Sequence, residues 1–197
     1  MNLEKIVFGS FFCKPLECLA KCVKLKKIEF STWFNDSLEF LVNCPQLEEI
    51  TFGYYFNKPI ESLSHCKNLQ QITFGETFNQ PIEHLGNSTK LEQITFGSAF
   101  NQSIEPLHNC ENLNHITFGW SFNQSIVPLS HCTQLKEIIF KEHSDFNQVI
   151  DSLSNCTKLE KIMFTHPSSF NQPVNELPVM RIMPKYFTWF NKEAYKK

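Results

Sequence analysis

The chain has 197 residues, 42% hydrophobic and 19% charged, which excludes the composition of a disordered tail. A formal net charge of −2 and a pI near 6.4 leave no global basic field for a polyanion, so no nucleic-acid partner is expected. No apolar run approaches the roughly 18 residues of a membrane-spanning helix, so no membrane partner is expected either.

The chain opens on Leu3-Glu4-Lys5-Ile6-Val7-Phe8-Gly9, where apolar Ile6 and Phe8 alternate with neighbours of the other face. That alternation predicts a short strand, and the glycine predicts a turn that ends it. The segment then recurs. Ile-Thr-Phe-Gly occurs at 50–53, 72–75, 94–97 and 116–119, and four residues after each of these Phe a Phe-Asn pair begins. The Phe that opens each unit falls at Phe12, Phe34, Phe56, Phe78, Phe100, Phe122, Phe146 and Phe170. The step is 22 residues up to Phe122 and 24 for the last two.

With that Phe as position 1, the columns are regular. Position 2 is Asn except at Cys13; position 5 runs Leu16, Leu38, Ile60, Ile82, Ile104, Ile126, Ile150, Val174. Position 8 is Leu from Leu19 to Leu177, position 14 is Leu until Met183, and position 17 is Ile from Ile28 to Ile162. Position 19 is a second Phe column, so most of the 20 Phe stand in two columns. A fixed period of this length is the mark of a solenoid, in which no unit buries its apolar side alone and neighbouring units share one core. We therefore expect a single solenoid over residues 1–177, of about eight 22–24-residue repeats, with 178–197 forming a C-terminal cap and a polar tail. Strand spacing of about 4.8 Å makes such a body roughly 40 Å long.

Within a unit, positions 15–19 alternate with Ile and Phe inward, which predicts a parallel β-sheet on one face. The connecting residues carry Pro15, Pro59, Pro81 and Pro173, which disfavour a long helix. Turns and short helical or 3₁₀ segments near positions 6–10 should form the other face. An Asn amide can bond the backbone of its own turn and of the next coil, which accounts for the Asn column. Five Asn lie in Asn-X-Ser/Thr patterns (Asn35, Asn87, Asn101, Asn123, Asn155), and the repeat itself explains these matches better than glycosylation does.

These strings carry a resemblance. Phe-Asn-Gln-Pro-Ile at 78–82, with near copies at 56–60, 100–104 and 122–126, resembles the FNIP repeat, a leucine-rich-repeat-like unit of the same length. The Cys-x-x-Leu-x-x-Ile-x-Phe segment is similar to the bacterial-surface type of leucine-rich repeat. The resemblance implies an origin in social amoebae or in giant DNA viruses that infect them. In the viral proteins FNIP repeats often follow an F-box, which recruits a ubiquitin ligase. Here the repeats begin at Leu3, so the ubiquitin-linked alternative is a substrate-recognition subunit acting with an F-box on another chain.

No catalytic, metal or cofactor site is expected. Six of the eight Cys occupy position 11 (Cys22, Cys44, Cys66, Cys110, Cys132, Cys156), where Ser88 and Met180 substitute for them, as packing residues would. Cys13, Cys18 and Cys22 match no zinc spacing. The His are scattered over several coil positions, and no phosphate loop, nucleophile elbow or His-Glu-x-x-His is present. Free thiols and the lack of a cleavable leader predict a cytoplasmic protein. Position 6 is an acidic column, Glu17, Glu39, Glu61, Glu83, Glu105 and Asp151, broken by Val127.

The expected function is therefore a non-enzymatic protein–protein interaction scaffold. Outward positions 16 and 18 should form a broad strand face, and positions 21 and 22 at the strand ends vary most. Aromatic residues that depart from a repeat template are not needed by its core, and Trp and Tyr concentrate at interface hot spots. Trp33, Tyr54, Tyr55, His115 and Trp120 are the candidate partner contacts. The longer steps insert residues around 141–145 and 165–169, and insertions in solenoids often map to binding faces. The first strand, near Ile6, has no cover and is expected to be open to edge-to-edge self-association.

Overall fold

A computed structural model describes residues 2–174. Eight parallel strands form one open sheet in chain order: β1 Lys5–Val7, β2 Lys27–Glu29, β3 Glu49–Thr51, β4 Gln71–Thr73, β5 Gln93–Thr95, β6 His115–Phe118, β7 Glu137–Phe140 and β8 Lys161–Phe164. The register follows the period, pairing Ile6 with Ile28 and so on to Ile138 with Ile162, across the 24-residue step as well. On the opposite face each coil carries one 3₁₀ turn, at Glu17–Lys21, Glu39–Asn43, Glu61–His65, Glu83–Asn87, Glu105–Asn109, Val127–His131 and Asp151–Asn155. Pro106 and Pro128 are the second residues of two of these turns, where an N–H has no partner in the turn. The acidic column marks the first turn of six of them and is exposed, the end at which a carboxylate is favoured.

The core between the two faces is columnar. Phe56, Phe78, Phe100 and Phe122 stack with centroids 6.1 Å apart. Position-19 rings stack beside them at 5.3 to 5.8 Å from Phe30 to Phe140. The columns also touch each other, as with Phe96 on Phe100 at 3.9 Å. Each such pair contributes about 0.5–1.5 kcal/mol beyond its buried area.

The position-11 thiols are buried and unbridged, and from Cys66 onward each donates to the carbonyl of the central Leu of the 3₁₀ turn one coil earlier, as Cys132 does to Leu107 at 3.5 Å. Burial pushes Cys66, Cys110 and Cys132 up to about 12, and Cys44 and Cys156 up to about 11. Cys13 and Cys18 are exposed. Titration of the native protein with a thiol reagent at neutral pH should therefore modify these two alone, and all eight after denaturation. Rapid native modification of six or more would contradict the buried column.

Two columns hold the backbone in ways the repeat alone does not show. The Asn side chains form a ladder between coils: Asn57 Oδ1 accepts from Asn79 N at 2.9 Å, Asn79 from Asn101 N at 2.9 Å, and Asn101 from Asn123 N at 3.0 Å. Each of these oxygens also accepts from the Gln that follows in the next coil, such as Gln102 Nε2 on Asn79 at 3.1 Å. The Ser of three Asn-X-Ser patterns accepts from the first N–H of the 3₁₀ turn, as Ser103 does from Glu105 at 3.2 Å.

The glycine column opens the turn that ends each strand, as expected, with Phe56 N donating to Gly53 O at 3.3 Å. No glycine has a positive φ, so the turn itself does not require one. A Cβ on Gly97 would instead lie 2.1 Å from the Gly75 carbonyl oxygen, and Gly53, Gly75 and Gly119 meet the preceding coil in the same way. Glycine is needed because two backbones nearly touch. Where the coils lengthen, the column continues as Lys141 and Thr165; the strands already run one residue further from β6 onward, to Phe118, Phe140 and Phe164.

At the N-terminal end, among the described residues, β1 pairs only with β2. Ile6, Phe8 and Phe12 are partly buried, Val7 and Phe11 are exposed, and nothing lies within 4 Å of the Cβ position of Gly9. The expected cap and tail at 178–197, with Leu177, Met180 and Met183 of the columns, lie outside the described residues.

Candidate functional site

The five candidate residues occupy three separate places. Trp33, Tyr54 and Tyr55 form one cluster at the strand ends of the N-terminal coils. Trp33 stacks on Tyr55 with centroids 4.3 Å apart, and Tyr54 meets Tyr55 edge-on at 4.7 Å. Their contact with one another leaves them 49%, 49% and 39% exposed. The backbone beneath is tied across coils: Tyr55 N donates to Thr32 O at 3.1 Å, and Thr77 donates to Tyr54 O through both N and Oγ1.

His115 lies on the strand face, away from these rings in the fold's order of coils. Its Nδ1 is bonded to Asn114 Oδ1, and its Nε2 lies 3.8 Å from Glu137, which also holds Lys161 at 2.5 Å. At the other end of the face Lys27 pairs with Glu49 at 2.6 Å and Glu29 at 3.4 Å. Between these charge clusters the outward residues are neutral: Gln71, Gln93, Thr51, Thr73, Thr95 and Thr117.

Trp120 stands alone among the position-21 residues of its end and is 51% exposed. Its ring lies 5.5 Å from that of His143, and both line a depression of about 280 Å³ with Ser144, Asp145, Pro167 and Ser168. Neither His143 nor Asp145 was a candidate from the sequence; the only signal was the insertion around 141–145. A larger open groove of about 810 Å³ lies on the 3₁₀ face near His65, Lys67, Gly86 and Asn109, apart from all five candidates. Among the described residues no group of three or more His, Cys, Asp or Glu is placed to hold a metal ion. No helix among them is long and apolar enough to cross a membrane.

Glu76 sits between the Tyr54 and Trp120 regions in the same column and is fixed in place. Burial raises its carboxyl, but hydrogen bonds from Ser98 Oγ and Ser98 N at 2.8 Å, with Lys141 at 3.9 Å, outweigh that and hold it below its ordinary 4.5. A lowered folded-state value means that the carboxylate stabilises the fold at neutral pH and that this contribution is lost as pH falls below 4.5. Melting of Glu76→Gln should lie below that of the wild type at pH 7 and converge with it in acid. A difference that persists unchanged in acid would remove Glu76 from the account.

No family model matches the chain, and no curated protein matches it in sequence. Solved structures do match. An internalin, InlF of Listeria monocytogenes, superposes with a TM-score of 0.60 at 15% identity over 92% of this chain and 61% of its own. CroV588, a circular leucine-rich-repeat protein from a giant virus, does so with a TM-score of 0.62 at 26% identity over 88% of this chain and 29% of its own. A chain of the Drosophila Toll–Spatzle complex has a TM-score of 0.67 at 13% identity over 90% and 26%. The fold is a leucine-rich-repeat solenoid. This chain therefore spans less than two thirds of the internalin and under a third of the other two. The leucine-rich-repeat match explains the columns, and the aromatic departures from them remain features of this chain.

Proposed function

We propose that this leucine-rich-repeat chain is a non-enzymatic scaffold for a protein partner, bound through the strand face and the strand-end aromatics. The observation that carries the reading is the half-exposed Trp33–Tyr55–Tyr54 cluster on a backbone hydrogen-bonded coil to coil. Rings held this way lose little freedom on binding, which lowers the ordering cost of an interface. Trp and Tyr are the residues that dominate interface energies. His115 and the neutral Thr and Gln band would extend the contact along the sheet, and Trp120 would form a separate part of it. A chain of the same fold, in the Toll–Spatzle complex, has been solved bound to a protein. The FNIP assignment and an amoebal or giant-virus origin are supported by the Phe-Asn-Gln-Pro-Ile strings and by the likeness to CroV588. Free thiols support a cytoplasmic setting.

The test is affinity capture of the tagged chain from amoebal cytosol, beside a variant with Trp33, Tyr54 and Tyr55 changed to Ala and its fold checked by circular dichroism. Loss of hot-spot rings at about 2 kcal/mol each should cut capture of a specific partner more than tenfold. A partner held equally by both forms would remove the cluster from the interface. The open edge of β1 is a proposed second contact, for self-association. Sedimentation should then show a dimer that Val7→Lys dissociates, and a monomer at all concentrations would refute it.

A further inference from the structure

The two lengthened coils build a recess that the regular coils lack. In the regular coils position 22 donates to position 21 of the coil before, as Ala99 N does to Glu76 O and Ser121 N to Ser98 O. Asp145 N makes the same bond to Trp120 O at 2.8 Å, and Ser169 N to Ser144 O at 2.9 Å. The two extra residues in each step are therefore Glu142-His143 and His166-Pro167, which bulge outward between positions 20 and 21. The bulges are joined by His143 N donating to Pro167 O at 2.7 Å, with His143 held at a φ of 61°. That left-handed conformation is uncommon for a residue with a Cβ, and at His143 it is held by this bond and by the contact with the Trp120 ring.

The contents of the recess are an aromatic face and unpaired negative charge. Trp120 presents about half of its surface, and Asp145 is exposed and anchored beside it by the backbone bond just described. Among the described residues neither Asp145 nor Glu142 has an ion-pair partner. The nearby cation, Lys141, leans back three coils to Glu76. The small side chains of Ser144, Ser168 and Ser169 leave the floor open. An indole face favours a cation above it, and a guanidinium also stacks flat on it while its N–H groups reach a carboxylate.

We propose that the recess of Trp120, His143 and Asp145 binds a cationic side chain of a protein partner, with arginine preferred over lysine. This rests on the reading of the chain as a protein scaffold and adds the chemistry of one contact. The probe is N-acetyl-arginine methylamide, titrated into the ¹⁵N-labelled full chain while the Trp120 indole and Asp145 amide signals are followed. Those signals should move saturably at millimolar probe, and N-acetyl-citrulline methylamide, the uncharged isostere, should leave them still. The lysine analogue should move them with weaker affinity; equal affinity would support a cation site while overturning the arginine preference. Asp145→Asn should weaken arginine binding at least fivefold, and Trp120→Phe should retain more binding than Trp120→Ala. Asp145 is anchored through its backbone, so Asp145→Asn keeps the loop. Citrulline binding as well as arginine, unchanged binding in Asp145→Asn, or no movement with arginine would each overturn the proposal. Loss of a captured partner in the Trp33/Tyr54/Tyr55 variant, with no movement here, would overturn this site alone.

Discussion

Gly97→Ala is expected to destabilise the solenoid at or above the top of the ~1–3 kcal/mol range for overpacked sites, while Gly9→Ala does no harm. Both glycines follow a position-19 Phe, and the sequence around them is nearly the same. A methyl group on Gly97 would fall 2.1 Å from the Gly75 carbonyl oxygen and 2.5 Å from Glu76 Cα. Both are backbone atoms inside a bonded coil, so neither can swing away as a side-chain tip would. The coils would have to separate and lengthen the bonds of β5 to its neighbours. Among the described residues nothing lies within 4 Å of the same point at Gly9. There the substitution acts on the unfolded chain alone, where removing glycine freedom is worth about 0.4–1 kcal/mol in favour of the fold. Urea unfolding followed by circular dichroism compares the two directly. Equal effects would mean that the column serves turn geometry after all.

Phe100→Ala should cost about 3–5 kcal/mol, the range for a large aromatic removed from a core that cannot collapse. Phe100 is fully buried and lies 3.9 Å from Phe96 and 6.1 Å from Phe78 and Phe122. Its column is held at fixed spacing by the sheet on one side and by the Asn ladder, at Asn101, on the other. The neighbours therefore cannot close over the hole. Because each coil contacts only its neighbours, the damage should also be local in origin. Hydrogen exchange should speed first in the strands β5 and β6, then spread toward the ends. Phe11→Ala is the control: that ring is 84% exposed and its loss should stay within about 0.5 kcal/mol. A Phe100→Ala protein that melts like the wild type would show that the stacked columns do not hold the coils together.

Much of the fold was legible because a solenoid turns sequence period into contact. Ile28, Ile50 and Ile72 are one period apart and therefore become cross-strand partners. The same logic placed Cys44 and Cys66 in a buried column and made Ser88 a tolerable substitute. It also brought Trp33 onto Tyr55, which are 22 residues apart in one column. The Gln rungs were not legible, since Gln80 and Gln102 sit at an exposed-looking polar position that holds Lys in other coils. Nor was the split of the candidate site. His115 stands at variable position 16 of the strand face, and its neighbours there are Glu137 and, through it, Lys161, not the strand-end rings.

By itself the sequence determined the strand register, the sheet order and the buried columns, because those contacts repeat with the chain period and need no knowledge of backbone path. Tertiary structure decided the contacts that do not repeat. It showed that Gly97 is required by a neighbouring carbonyl while Gly9 is not, a difference of coil approach and not of local sequence. It also decided where the extra residues go. The bond from Asp145 N to Trp120 O puts Glu142-His143 in the bulge and leaves Asp145 beside the indole. Several alignments of a 24-residue coil on a 22-residue one are compatible with the sequence, and only the satisfied backbone hydrogen bonds of the folded coils select one.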